Sequence, residues 1–125
     1  MPNDLQVSLD ESTSPWSVDV DQQGDANHVN RSPNTQTITW HLTGNAASGS
    51  IIFFAWLGTP PPASIFGSPT ITNGGNQLSL ADTNPNASTA GTWAYQLTIR
   101  VGGNDYSSVG FLPTGTATTP TIKNN

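Results

Sequence analysis

A chain of 125 residues with 34% hydrophobic and only 9% charged side chains can build one core but not a set of long surface helices, which need Glu, Lys and Arg. In place of charge it carries 17 Thr, 13 Ser and 12 Asn, with 12 Gly and 10 Pro. Three cations against eight acids leave a net charge of −5, which argues against a basic-patch nucleic-acid binder, and the lack of cysteine excludes disulfides, thiolate nucleophiles and zinc fingers.

From the N-terminus, Leu5, Val7 and Leu9 alternate with Gln6 and Ser8, and Trp16, Val18 and Val20 alternate with Ser17 and Asp19. A period of two sends one set of side chains to a buried face and the other to water, as a half-buried strand requires. The stretch 21–34 is rich in Asp, Asn, Ser and Pro and reads as a loop. Ile38, Trp40 and Leu42 then resume the alternation.

The run Ile51–Leu57 breaks the pattern, with seven apolar residues in succession. It predicts a strand covered on both faces, or one whose outer face forms an oligomer interface. Being seven residues long, it falls far short of the roughly 20 that a membrane helix needs, and no membrane partner is expected. Pro60-Pro61-Pro62 stops any ladder that follows, since proline has no N–H to donate.

Two hairpins are predicted where Asn73-Gly74-Gly75-Asn76 separates Pro69–Thr72 from Gln77–Ala81, and where Gly102-Gly103-Asn104 separates Thr92–Val101 from Asp105–Phe111. The longest alternation is Trp93, Tyr95, Leu97, Ile99 and Val101. Its Gly91-Thr92-Trp93-Ala94-Tyr95 entry is similar to the penultimate strand of immunoglobulin-like domains, where a tyrosine hydrogen-bonds back to the preceding corner. The tail 113–125 is expected to be an edge strand or a frayed end. The whole predicts an all-β, antiparallel, immunoglobulin-like two-layer sandwich of about seven strands in a single domain, 1–125.

The order of Gln6–Leu9, Thr37–Leu42, Ile71-Thr72-Asn73-Gly74 with Leu78-Ser79-Leu80, Trp93–Val101 and the finish Pro120-Thr121-Ile122-Lys123-Asn124 resembles the DP-EP family of small bacterial β-sandwich proteins. Thr119 stands where the family's closing motif has Asp. The resemblance implies a sandwich fold and supplies no catalytic residues.

Candidate chemistry is sparse. Asp10, Glu11, Asp19, Asp21 and Asp25 are five of the eight acids, and Asp19, Asp21, Gly24 and Asp25 resemble a calcium loop without its closing Glu. The expectation is a solvated turn, with no metal site. His28 and His41 are the only imidazoles, His41 on the polar side of its strand, and no Gly-x-Ser-x-Gly elbow frames a serine nucleophile. Asp82 and Asp105 are the acids of the second half, and nothing in their spacing marks a glycosidase pair. Neither a phosphate loop nor a dinucleotide fingerprint occurs, so no cofactor is expected. Trp16, Trp40, Trp56 and Trp93 are all in phase with core residues.

The leading functional expectation is a non-enzymatic binding or structural module that associates with itself through the apolar run. A carbohydrate-binding module with an exposed tryptophan is the first alternative. A small hydrolase using His28 or His41 is the second. The N-terminus lacks the basic start and apolar stretch of a secretory signal, so the cytoplasm is expected unless a leader has been removed.

Overall fold

The computed structural model describes residues 3–12, 16–21, 26–57, 60–108 and 120–125. They form β1 (Asp4–Asp10), β2 (Ser17–Val20), β3 (His28–Val29), β4 (Gln36–Leu42), β5 (Ser50–Trp56), β6 (Thr70–Thr72), β7 (Gln77–Asp82), β8 (Gly91–Val101), β9 (Asn104–Ser107) and β10 (Thr121–Asn124). One sheet runs β2-β1-β4-β7-β6 and the other β3-β10-β8-β5, with β9 also paired to β8. Among the described residues the only helices are single turns, and none is long and apolar enough to cross a membrane.

The alternation read from sequence is the inside–outside pattern of the two layers. Leu5, Val7 and Leu9 of β1, Ile38, Trp40 and Leu42 of β4, and Leu78 and Leu80 of β7 are buried, and they face Tyr95, Leu97 and Ile99 of β8. Trp93 and Val101, the outer members of the β8 series, pack on that core half-buried. Strands β4, β7 and β6 opposite β5, β8 and β9 reproduce the layer assignment of an immunoglobulin-like sandwich.

Most pairings are antiparallel, as expected, but β1 with β4 and β3 with β10 are parallel. The chain crosses to the other sheet as β3 before returning as β4, which supplies the crossover that a parallel neighbour requires. Among the described residues there are ten strands rather than about seven. β3 lies inside the segment expected to be loop, and β10 inside the tail. The tail's described part is neither frayed nor an edge. β10 lies between β3 and β8 with Ile122 fully buried.

Both glycine hairpins form. In the β8–β9 turn Gly102 (φ 61°) and Gly103 (φ 83°) take up the left-handed backbone that a two-residue turn demands. Gly75, in the β6–β7 turn, has φ 99°, and a Cβ there would lie 2.7 Å from the Ser50 Cβ. That close approach seats the turn against the first residue of β5.

Candidate functional site

Of the terminal strands of the two sheets, β2 has four residues, β6 three, β3 two and β5 seven. Short edges are one way in which sheets avoid pairing with other chains, and charge on the edge is another. β2 is short and carries the exposed Asp19. β5 is long and, as Ser50-Ile51-Ile52-Phe53-Phe54-Ala55-Trp56, wholly uncharged.

The apolar run of β5 is not covered on both faces. Ile51 pairs with Ile99 and Phe53 with Thr98, so Ile52 is the extra residue of a β-bulge. The bulge resets the phase. Ile51 points inward before it, Phe54 and Trp56 pack inward after it, and Ile52 and Phe53 both face out, Phe53 at 50% exposure. Beyond the bulge, Phe53 to Trp56 run in regular register against Thr98, Leu97, Gln96 and Tyr95. Among the described residues no strand pairs with the other edge of β5. On the same side, Ile71 of the edge strand β6 is also exposed.

Beneath this edge lies an aromatic cluster. Phe54 stacks on Tyr95 with centroids 5.0 Å apart, and Trp40 meets both rings edge-on. Trp56 packs on Phe66, which in turn meets Trp93. The inward side chains of β5 thus pack on rings from both sheets, and Ile52 and Phe53 face solvent. Tyr95 does not bond back to its corner. Its hydroxyl accepts from the Trp40 indole at 2.8 Å, and burial raises its pKa above the ordinary tyrosine value.

A second feature is polar and closed off from solvent. At one end of the sandwich Asp82, Asn84 and Asn124 are buried together. Asn84 donates to the carbonyls of Val29 (3.0 Å) and Asn125 (3.2 Å) and accepts from the Thr89 hydroxyl at 2.8 Å. Asn124 Nδ2 donates to Asp82 Oδ1 at 2.9 Å and to the Thr89 carbonyl at 3.0 Å. Burial pushes the Asp82 carboxyl up to about 6, against the opposing effect of the Asn124 bond. Neither asparagine carries a sequence signal, because nothing in a local pattern distinguishes a buried amide from the many in loops.

The residues singled out from sequence scatter. Asp19 lies exposed on β2 and Asp21 just beyond it, while Asp25 lies outside the described residues. The carboxyl of Asp19 is raised, first by partial burial and then by repulsion from Asp10 and Asp21. No three His, Asp or Glu side chains gather as a metal-holding group among the described residues. His41 does lie on the outward side of β4, with Nε2 3.5 Å from Asp4 Oδ1. His28 is half-buried on β3, paired in register with Lys123.

Asp82 bonds Asn124, which is opposite Gly91, whereas Asp105 is opposite Arg100 and bonds its guanidinium at 2.7 Å. Those ends of β8 are about 30 Å apart at roughly 3.3 Å per residue, so the two acids form no hydrolytic pair. Trp40 is fully buried and Trp56 and Trp93 half-buried, as core positions. Trp16 departs from that expectation at 41% exposure, because it precedes the short edge strand β2 and rests on Tyr106, centroids 5.8 Å apart, at the sandwich margin.

No family model matches the chain, and no curated protein matches it.

Proposed function

We propose that this protein is a non-enzymatic β-sandwich module that associates with copies of itself through the open edge of β5. The observation that carries the reading is the contrast between edges: β5 is the longest, carries no charge and presents Phe53 to water. The overall charge of −5 opposes contact between copies in general, so an uncharged edge is where a second copy meets the least repulsion. Pairing β5 with β5 of another copy adds ladder hydrogen bonds and removes the exposed half of Phe53 from water, worth about 1 kcal/mol for each ring. A seven-residue edge is small beside the roughly 1,600 Å² of a standard interface, so the association is weak and reversible.

Sedimentation velocity across micromolar to millimolar protein tests it. The expected result is a sedimentation coefficient that climbs with concentration for the native chain and stays at the monomer value for Phe53→Lys, whose near-UV circular dichroism is unchanged. A native chain that remains monomeric throughout sinks the reading.

A second reading, a carbohydrate-binding module, draws on Trp16, whose exposed indole presents an aromatic surface of the kind that suits the apolar side of a pyranose. Retardation on polysaccharide affinity gels, lost in Trp16→Ala, would favour it over self-association.

A further inference from the structure

Two buried side-chain oxygens at the closed end of the sandwich, Asp82 Oδ2 and Asn124 Oδ1, have no hydrogen-bond partner among the described residues. They belong to the two groups already joined by the Asn124 Nδ2 to Asp82 Oδ1 bond of 2.9 Å. With the acid ionised, both oxygens are acceptors and each remains unsatisfied, a loss of hydration that no hydrogen bond offsets. A single proton on Asp82 supplies both needs, since it gives the acid a donor and the amide oxygen a partner.

We propose that under mildly acidic conditions Asp82 is a neutral carboxylic acid in the folded protein, donating its proton from Oδ2 to Asn124 Oδ1, so that a closed acid–amide ring latches β10 onto the opposite sheet and loosens as the acid ionises toward neutral pH. The latch joins β7 to β10 across the layers, and the Thr89 carbonyl fixes the Asn124 amide from the other side. A hard cation is the competing way to satisfy two oxygens, but it takes six or more oxygen ligands, and these are two.

The charged neighbours leave the carboxyl without a counter-ion. β7 has no other titratable residue. On β4 the only one is His41, at the far end opposite Gln77. Lys123 on β10 is exposed and precedes Asn124, and His28 of β3 is paired in register with it. Arg31 bonds the carbonyl of Asn125, and Arg100 of β8 is held by Asp105 at the opposite end. The segment 83–90 and the stretch around Phe66, which bridges to Asp82, contain no titratable residue. Burial alone therefore sets the direction and keeps the acid protonated up to about pH 6.

The sign follows. A carboxyl whose folded value exceeds its unfolded value holds its proton in the folded state across the window between them, so stability falls as pH rises through that window and is lowest above it. Denaturant unfolding of the full chain and of Asp82→Asn from pH 4 to pH 8 reads the effect. Between the ordinary 3.8 and about 6, the native chain's folding constant is expected to drop by roughly a hundredfold relative to the variant's, because an amide–amide pair mimics the protonated ring at every pH. Parallel pH profiles for the two proteins overturn the proposal.

Should Asp82→Asn not fold, the carboxyl ¹³C shift of Asp82 in the native chain decides. A midpoint near 6 supports the latch, and one at or below the ordinary value overturns it. A calcium- or magnesium-induced rise in melting temperature at pH 5, where the latch is closed, absent in Asp82→Asn, also overturns it by assigning the oxygens to a cation.

Discussion

The indole N–H of Trp40 donates to the hydroxyl of Tyr95 across 2.8 Å, with both side chains fully buried and one carried by each sheet. The rings meet nearly at right angles, 78° between planes, so the contact combines edge-to-face packing with a hydrogen bond in a dry core. With the Asn124–Asp82 bond at the polar end, it is one of the buried polar links between the two layers.

Removing either partner strands the other. Trp40→Phe leaves the Tyr95 hydroxyl without its donor, and Tyr95→Phe leaves the indole N–H without an acceptor, each costing about 1–3 kcal/mol beyond any loss of packing. The double variant is expected to lose less than the sum of the two singles, because the second change removes the group the first one stranded. Equilibrium denaturation of the four proteins measures the coupling, and strict additivity would show that the bond contributes nothing.

Asn84 is expected to be the most sensitive amide in the chain. Asn84→Ala deletes three partners at once, the Val29 and Asn125 carbonyls and the Thr89 hydroxyl, and is expected to cost about 3 kcal/mol, on the order of 1 for each. Asn84→Asp is expected to cost more, since a carboxylate oxygen would then point at two carbonyls. Comparing unfolding midpoints in urea checks both the size and the order.

At Gly75 two penalties can be separated. Gly75→Ala places an L side chain at φ 99° and drives a Cβ to 2.7 Å from that of Ser50, a combined loss of about 1–3 kcal/mol. Adding Ser50→Gly removes the closest contacts, those with the Ser50 Cβ and Oγ, and leaves the Cα of residue 50 at 3.2 Å together with the backbone strain. Thermal melts should show partial recovery in the double variant, and full recovery would mean the φ angle is tolerated.

The sequence makes β1, β4, β7 and β8 readable because each has one face in the core and one in water, which writes the layer into every second residue. Both glycine hairpins are readable for the local reason that their turns need left-handed backbone. What escapes is non-local. β3 is two residues long and exists because β10, from the other end of the chain, lies beside it. The polar end behaves likewise, since Asn84 and Asn124 acquire their roles only when β7, β10 and the Thr89 turn converge. The seven-residue apolar run shows where β5 is but not the bulge at Ile52, and the bulge decides that Phe53 faces out while Phe54 faces in. Trp16 illustrates the opposite failure: in phase with Val18 and Val20, it still lies at the margin, because phase says which face a side chain takes and not whether another layer covers it.

Amide hydrogen exchange along β5, followed as protein concentration is raised, tests the edge-pairing account most directly. The amides of Ile52 to Trp56 that do not bond to β8 are expected to gain protection over the same concentration range in which the mass increases, with β2 and β6 unaffected. Exchange along β5 that stays constant while the mass grows would place the contact elsewhere and contradict the account.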